Sequence, residues 1–217
     1  KVEEFLPMLY REGFPRNFDD EVAWLYLMTD DVEMGQLELD PDDENNDTRD
    51  KNSVDAFSVG EGEEPYKWER DIKSYADNFW ERRYGNILAC NLVIDALPEM
   101  VYVEADSGSY NFLAAQAYAM RAYHYWCLVN SYALPWSKEN LDEPGVVIRT
   151  EPQIDIAARR RSSIREVYDL INEDIENAEK YIKVATFDGN IHRLSEPAIL
   201  LLASRIALFQ ENWDEVI

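Results

Sequence analysis

The side chains that most often perform catalysis are few in this sequence and form no familiar motif. The two histidines, His124 and His192, are far apart in the chain, so no HExxH metal-binding helix exists. The sequence also lacks GxGxxG, Walker and GxSxG motifs. Carboxylates are plentiful, with 44 Asp and Glu in 217 residues, and a glycosidase needs two of them about 5–10 Å apart. Because some pair among so many acids meets that distance by chance, the sequence does not favour an enzyme.

Residues 30–64 are unusually acidic, with 14 Asp or Glu against two basic residues. Mutual repulsion and the turn-forming residues of the run 40–47 predict an exposed loop. The alternative is a calcium site, because Asp42, Glu44 and Asn46 alternate as EF-hand ligands do. The glycine of the sharp turn and the closing bidentate glutamate are both missing, so we favour the solvated loop.

The charge of the chain excludes some partners. The formal net charge is −23 at pH 7, and such a surface repels phosphate backbones, so nucleic acid is not an expected partner. The longest apolar stretch, residues 198–209, is interrupted by Ser204 and Arg205 and is too short to span a bilayer. We expect no cofactor and no resident metal.

The two cysteines, Cys90 and Cys127, form neither a CxxC pair nor a disulfide framework. Each lies within an apolar helical pattern, which favours a small thiol packed among apolar side chains. A disulfide between adjacent helices is the alternative if the compartment is oxidising.

A helical pattern begins near residue 78. Trp80, Tyr84, Ile87, Asn91 and Ile94 follow one another at steps of four, three, four and three, which places them on one helix face. An amide on this apolar stripe needs hydrogen-bond partners, most simply the backbone of a neighbouring loop. We expect this helix to end before a proline and to carry a solvated face of Arg82, Arg83, Asn86 and Asp95.

Further helices are expected downstream. A helix over residues 110–132 is apolar around most of its circumference, which is typical of a central helix. The next helix begins with a capping box of Ser163 and Glu166. A fourth is capped by Ser195, and a fifth starts at Trp213. On the third helix we expect a solvent-facing set of Glu173, Asp174, Glu176 and Lys180.

The order of these elements predicts an all-α fold of tetratricopeptide-like helical hairpins. Residues 1–77 are expected to hold short helices near 5–9 and 21–28 and a long irregular, acidic insert that carries the candidate ligand-binding residues. Residues 78–217 form the helical region, which we expect to be truncated at its C-terminal end. Long loops in compact domains are commonly functional, and the aromatic residues at the end of this insert favour that reading over disorder.

Three stretches resemble the SusD/RagB family of outer-membrane nutrient-binding lipoproteins of Bacteroidetes. Residues 80–94 are similar to a W-xxx-Y-xx-I-xxx-N helix of that family, and residues 115–132 are similar to its phrase AEAxFLRAxxYFxLVxxYG. Residues 161–174 and 195–205 resemble its later helices. The likeness covers residues 78–217 in the family's order.

The chain departs from the family pattern at two points. Gln116 stands where the family usually has Glu, so a neutral hydrogen bond is expected in place of a salt bridge with a nearby arginine. Residues 133–135 replace the usual Gly-Asp-Val-Pro turn, which predicts a different loop after the second helix. The family is also longer than this chain, and its C-terminal half helps to frame the ligand site.

The resemblance implies a lipid-anchored protein, exposed on the cell outer membrane, that binds oligosaccharides or peptides for import. Its partner would be a TonB-dependent, SusC-like outer-membrane transporter, and the lipid anchor itself is not present in this chain. Sugar rings pack their C–H faces on aromatic planes while polar groups bond the hydroxyls. The candidate ligand-binding residues are therefore Tyr66, Trp68 and Arg70, with Asp31, and beside it Asp30, as a hydroxyl acceptor.

Each candidate has a structural alternative. Trp68 is interpreted more readily as a loop anchor packed on the helices, and Asp31 as a solvated acid.

Residues on the helical stripes are expected to be structural. Trp80, Tyr84 and Tyr123 are predicted core residues. Arg121 is expected to pair with a carboxylate or a backbone carbonyl, and His124 to be a satisfied structural histidine.

Two other functions stay open from the residues alone. A tetratricopeptide adaptor would grip a protein partner in its groove, although the regular 34-residue spacing typical of such adaptors is absent. An all-helical glycosidase ranks below the adaptor, and a binding protein ranks first.

Overall fold

The computed structural model describes residues 5–10, 79–100, 107–153 and 157–216. The chain divides into two compact units, one of residues 1–13 and 80–217 and the other of residues 14–79. The division into domains at residues 77 and 78 stays a prediction, and the expected helix near 21–28 and the acidic run 40–47 lie outside the described residues.

The described part of the chain is helical. Its elements are α1 (Leu6–Tyr10), α2 (Phe79–Ala96), a 3₁₀-helix (Leu97–Glu99), α3 (Ser107–Tyr132), α4 (Ile164–Ile182), α5 (Glu196–Phe209) and α6 (Trp213–Val216). These residues contain no named strand, and a single isolated antiparallel bridge joins Pro144 and Ser163.

The long helix α3 lies at the centre of the described helices. It packs most extensively against α4 and also contacts α1 and α5. Alanines on several faces of α3 are fully buried, which lets neighbouring helices approach closely, and Phe112 and Tyr125 fill the remaining space. The expectation that an all-round apolar helix is central is confirmed.

Local signals set the helix ends. The side chain of Ser163 accepts a hydrogen bond from the backbone N–H of Glu166, and the Glu166 carboxylate accepts one from the Ser163 N–H, so the predicted capping box is present. Pro98 lies in the 3₁₀-helix directly after α2. Ser195 is the N-cap residue of α5, with Pro197 in the first turn, but its side chain makes no capping hydrogen bond.

Three polar residues that we expected to face solvent are buried. Arg83 and Asn86 on α2 are 2% and 8% exposed, and Asp174 on α4 is 1% exposed. The expectation was wrong because it followed the polarity of these side chains and not their positions on the helix. Asp174 lies three residues after Ile171 and four before Ala178, both of them buried, so the helical period places it on the buried face.

Gln116 joins α3 to the connection between α4 and α5. Its Nε2 donates to the Leu194 carbonyl at 2.8 Å, and its Oε1 accepts from the Leu194 N–H at 3.0 Å. The hydroxyl of Tyr10 on α1 also donates to Gln116 Oε1. The predicted neutral hydrogen bond is confirmed, and it ties three parts of the chain together in the interior.

Candidate functional site

A non-helical segment of residues 145–151, which we call the strap, runs beside the helices. Its first residues pair with the chain just before α4, where Gly145 N–H donates to Ser162 O at 2.7 Å and Ser162 N–H donates to Val146 O at 2.9 Å. A Cβ atom on residue 145 would lie 3.0 Å from Ser162 O, so the close approach of the two backbones favours glycine.

Side chains from two helices hold the backbone of the strap. The Tyr84 hydroxyl on α2 donates to Val147 O at 2.7 Å. The Tyr125 hydroxyl on α3 donates to Arg149 O and accepts from Arg149 N–H, both at 2.7 Å. Because these bonds satisfy backbone groups that no regular element pairs, they fix the path of the strap.

Asn91 connects the strap to a buried ion pair. Its Nδ2 donates to Arg149 O at 3.0 Å and to Glu151 O at 3.3 Å. Its Oδ1 accepts from Arg121 Nη1 at 2.9 Å. The expectation that the amide of Asn91 finds its partners in a loop backbone is confirmed.

Arg121 on α3 and Asp174 on α4 form a two-point salt bridge in the interior. The Nε and Nη2 atoms of Arg121 lie 2.8 Å and 2.7 Å from the two carboxylate oxygens of Asp174. Burial raises the pKa of the Asp174 carboxyl, and the hydrogen bonds from Arg121 oppose that rise. The predicted pairing of Arg121 with a carboxylate is confirmed, and the role of this pair is to lock α3 against α4.

Aromatic rings and an arginine meet where α2 approaches the end of α3. The ring centroid of Trp80 lies 4.9 Å from that of Tyr84 and 4.9 Å from that of Tyr132. The guanidinium of Arg161 lies 5.9 Å from the Trp80 ring centroid and donates to Tyr132 O at 3.1 Å. Trp80 and Tyr84, which we predicted to be core residues, pack inward but stay half-buried. This group of four residues is named the Trp80 cluster.

His124 faces α2 on another side of α3. Its Nδ1 lies 3.2 Å from Arg83 Nη1, and it is fully buried. Burial, and to a smaller degree the charge of Arg83, lowers the pKa of His124 well below 6.5, so the imidazole is neutral. The prediction of a buried structural histidine is confirmed, but the expectation that its hydrogen bonding is satisfied is wrong at Nε2, which has no hydrogen-bond partner in the part of the chain that the structure describes. Tyr123, a predicted core residue, is half-buried against Arg83.

The ligand-binding residues predicted from the sequence cannot be placed beside these groups. Tyr66, Trp68, Arg70 and Asp31, and Asp30 beside it, lie outside the described residues. Their role stays a prediction. The functional-site signals missed from the sequence are the strap and its anchors, for which only the amide of Asn91 gave a hint.

The structure also bears on the cysteines, on metal binding and on membrane-spanning helices. Cys90 and Cys127 are not joined in a disulfide, so the disulfide alternative is wrong, and burial raises the pKa of Cys90 to about 12. Among residues 5–10, 79–100, 107–153 and 157–216, no group of three or more His, Cys, Asp or Glu could hold a metal ion. In the same ranges, no helix has the length and apolarity to cross a bilayer.

The geometry of the described residues is that of an all-α helical scaffold. A central helix is packed between neighbours in an all-α arrangement, and polar side chains on two helices hold a strap at its side. Tyr84, Asn91 and Tyr125 position the backbone of the strap.

The chain belongs to the SusD-like family, whose description is starch-binding, associating with the outer membrane. The family's sequence profile matches residues 15–208, which is most of the chain. The resemblance given by the three helical stretches is thereby confirmed.

A curated relative and two solved structures agree with that membership. A SusD-like protein of Formosa agariphila is 33% identical over 138 residues, which cover 62% of this chain and 24% of that protein. The fold matches a SusD superfamily protein from Bacteroides vulgatus with a TM-score of 0.71 and 16% identity, covering 98% of this chain and 44% of that one. It also matches a laminarin binding SusD-like protein with a TM-score of 0.68 and 18% identity, covering 99% of this chain and 41% of that one.

These matches confirm the all-α, tetratricopeptide-like fold. The chain spans about a quarter of the length of the curated relative and less than half of each of the two solved chains.

Proposed function

We propose that the protein binds oligosaccharides at the cell surface, without turning them over, and passes them to a TonB-dependent, SusC-like transporter of the outer membrane. The observation that carries this proposal is the family match over residues 15–208, whose description joins starch binding to the outer membrane. A relative of similar fold is described as laminarin binding, which supports a glycan as ligand. We propose surface exposure and lipid anchoring as the state in which the protein works.

The ligand contacts are proposed to lie in the loop that precedes α2. Tyr66 and Trp68 would stack on the C–H faces of sugar rings, and Arg70 and Asp31 would bond hydroxyl groups. Binding of this kind needs no group that transfers protons or forms a covalent bond. A rigid helical scaffold supports it, because contacts that are positioned before binding lose less entropy when the ligand arrives.

A glycan and peptide array probed with the intact protein tests the ligand class. Titration calorimetry with the strongest glycan then compares Trp68→Ala with the parent protein. We expect affinity to fall about tenfold, the loss for removing one well-stacked ring, with the melting temperature nearly unchanged. A large fall in melting temperature with unchanged affinity would show that Trp68 is a packing residue.

Trp213→Ala is the matched control for that variant. Trp213 is 60% exposed on α6, so its removal also deletes an indole while costing little packing. We expect its glycan affinity to equal that of the parent protein. Equal losses in both variants would contradict the assignment of Trp68 to the site.

Chromatography of the glycan after long incubation separates binding from turnover. An unchanged chain-length distribution supports a receptor, whereas shortened products would support a glycosidase. Binding to peptides alone would favour the peptide-importing role, or an adaptor, over glycan capture. Co-purification of an outer-membrane transporter from solubilised membranes, and sensitivity to protease added to intact cells, test the proposed partner and location.

A further inference from the structure

A basic segment lies within this acidic protein. Residues 149–165 contain five arginines against two acidic residues, in a chain whose formal net charge is −23. Since the whole molecule repels anions, a local reversal of sign of this size marks where an anion could be held.

Two of the five arginines are neutralised by carboxylates. Arg159 lies 3.1 Å from Glu151, and Arg165 lies 3.2 Å from Asp142. These exposed pairs contribute little to stability, but they cancel the charge of each arginine toward a ligand.

Arg160 and Arg161 are exposed and form no salt bridge with any residue in the described ranges. Hydrogen bonds from Ser163 lower the pKa of the Glu166 carboxyl, with a smaller contribution from the charge of Arg160. The Glu166 carboxylate accepts the Ser163 N–H at 2.7 Å and the Ser163 hydroxyl at 3.1 Å, and among the described residues it accepts no hydrogen bond from Arg160.

Arg161 is held in place before any ligand arrives. One of its N–H groups donates to Tyr132 O, and its plane lies near the Trp80 ring. A guanidinium has five N–H donors in a fixed fork, so the others can face an anion. Little conformational entropy is left to lose when such a group binds.

Half-buried rings border Arg161. Trp80, Tyr84 and Tyr132 belong to the Trp80 cluster, and each keeps part of its side chain in solvent. Burial raises the pKa of Tyr84 to about 12, and the charges of Arg149 and Arg161 act in the opposite direction. Apolar ring edges beside cations suit a sugar that carries an acidic group.

We propose that the Trp80 cluster, which includes Arg161, and the adjacent residue Arg160 form a contact site for an anionic oligosaccharide that carries carboxylate or sulfate groups. The proposal rests on the proposed glycan-binding function and names a class of ligand for it. It adds a site on the helical scaffold, separate in sequence from the residues of the loop before α2.

The test measures binding of four probes to the intact protein. The probes are oligogalacturonate for carboxylates, dextran sulfate for sulfates, laminarin as a neutral glycan, and phosphatidylglycerol vesicles as an anionic lipid surface. We expect at least one anionic glycan to bind, with affinity that falls as ionic strength rises. The two anionic glycans distinguish the carboxylate source from the sulfate source.

Arg160→Gln is compared with Arg165→Gln. Both variants remove one exposed positive charge from the same segment, but Arg165 is already neutralised by Asp142. We expect Arg160→Gln to weaken the anionic glycan about fivefold to tenfold, as loss of a charge-assisted contact does, and Arg165→Gln to leave it within about twofold. Arg160→Lys, which keeps the charge, should restore most of the affinity.

Four results would overturn the inference. Equal weakening by both glutamine variants would show a response to net charge alone. Binding of laminarin without either anionic glycan would leave the proposed function standing and remove this site. Arg160-dependent binding of vesicles without anionic glycan binding would assign the segment to a lipid surface. If no glycan of any kind binds, the proposed function fails together with the inference.

Discussion

Arg121 and His124 lie about one turn apart on α3, and both are buried. They differ in how many of their polar atoms form hydrogen bonds. Arg121 donates to both carboxylate oxygens of Asp174 on α4 and to Asn91 on α2. On the side toward α2, His124 has a contact with Arg83 through Nδ1, while its Nε2 has no hydrogen-bond partner among the described residues.

The difference shows two ways in which a helix interior accepts a polar group. A fully bonded network fixes the relative position of the elements that it joins, and removing one member leaves a buried charge. A neutral histidine avoids the cost of a buried charge but loses that advantage when the solution becomes acidic. We therefore expect mutation to disrupt the network around Arg121, and acid to destabilise the buried site of His124.

Asp174→Ala should have the largest effect. It leaves the Arg121 guanidinium buried without its counter-ion, so we expect the free energy of unfolding to fall by about 3–5 kcal/mol in urea denaturation. Glu173→Ala removes the exposed carboxylate next to it and should change that free energy by less than about 0.5 kcal/mol. Similar losses in the two variants would contradict the burial of Asp174.

Asn91→Leu should follow in size. The change removes two donors to the strap and one acceptor for Arg121, so we expect a loss of about 1–3 kcal/mol in the free energy of unfolding. Asn91→Asp keeps the acceptor for Arg121 and separates the two contributions. An unchanged unfolding midpoint in the leucine variant would mean that the strap does not depend on this amide.

His124 should make the fold sensitive to acid. Its folded-state pKa lies well below 6.5, while the unfolded chain binds a proton near pH 6.5. The unfolded state therefore holds more protons below pH 6.5, and stability present above that pH is lost as pH falls toward the folded-state pKa, by at most about 1.4 kcal/mol per pH unit for one proton. His124→Gln should lack this part of the pH dependence. Parallel stability curves for the two proteins would refute a neutral buried histidine.

Ser163→Ala shows how much a polar group at a helix end contributes to the free energy of unfolding, compared with the buried groups above. It removes the side-chain half of the capping box of α4, and we expect a loss of about 1 kcal/mol in the free energy of unfolding. Thermal unfolding by circular dichroism measures it. A loss as large as that of Asp174→Ala would contradict this order, because the cap of α4 would then contribute as much to stability as its buried ion pair.

Helix positions followed from local patterns in the sequence. The apolar spacing around Trp80 and Ile87 predicted α2, and the pair Ser163 and Glu166 predicted the start of α4, because both signals act within one or two turns. Asn91 was predicted to need partners since an amide on an apolar stripe cannot stay unpaired.

The errors have a common cause. Asp174 and Arg83 occupy positions that helical spacing places inward, but their charge suggested the opposite. Each is buried beside a polar partner on another helix, which the sequence of one helix does not reveal. The strap was not predicted because its path depends on side chains from α2 and α3 that are about 20–65 residues away in the chain. The site residues Tyr66 and Trp68 stay predictions that binding measurements must test.

The strap is held mainly by its carbonyl oxygens at Val147, Arg149 and Glu151. Every amino acid supplies such an oxygen, so the identity of most strap residues is free to vary while the course of the chain stays constant. Three positions are exceptions, because residue 145 has little room for a side chain, Val146 is fully buried, and residue 149 must supply an N–H that proline lacks. Related chains can therefore carry different side chains along the strap while the helices that hold it stay the same.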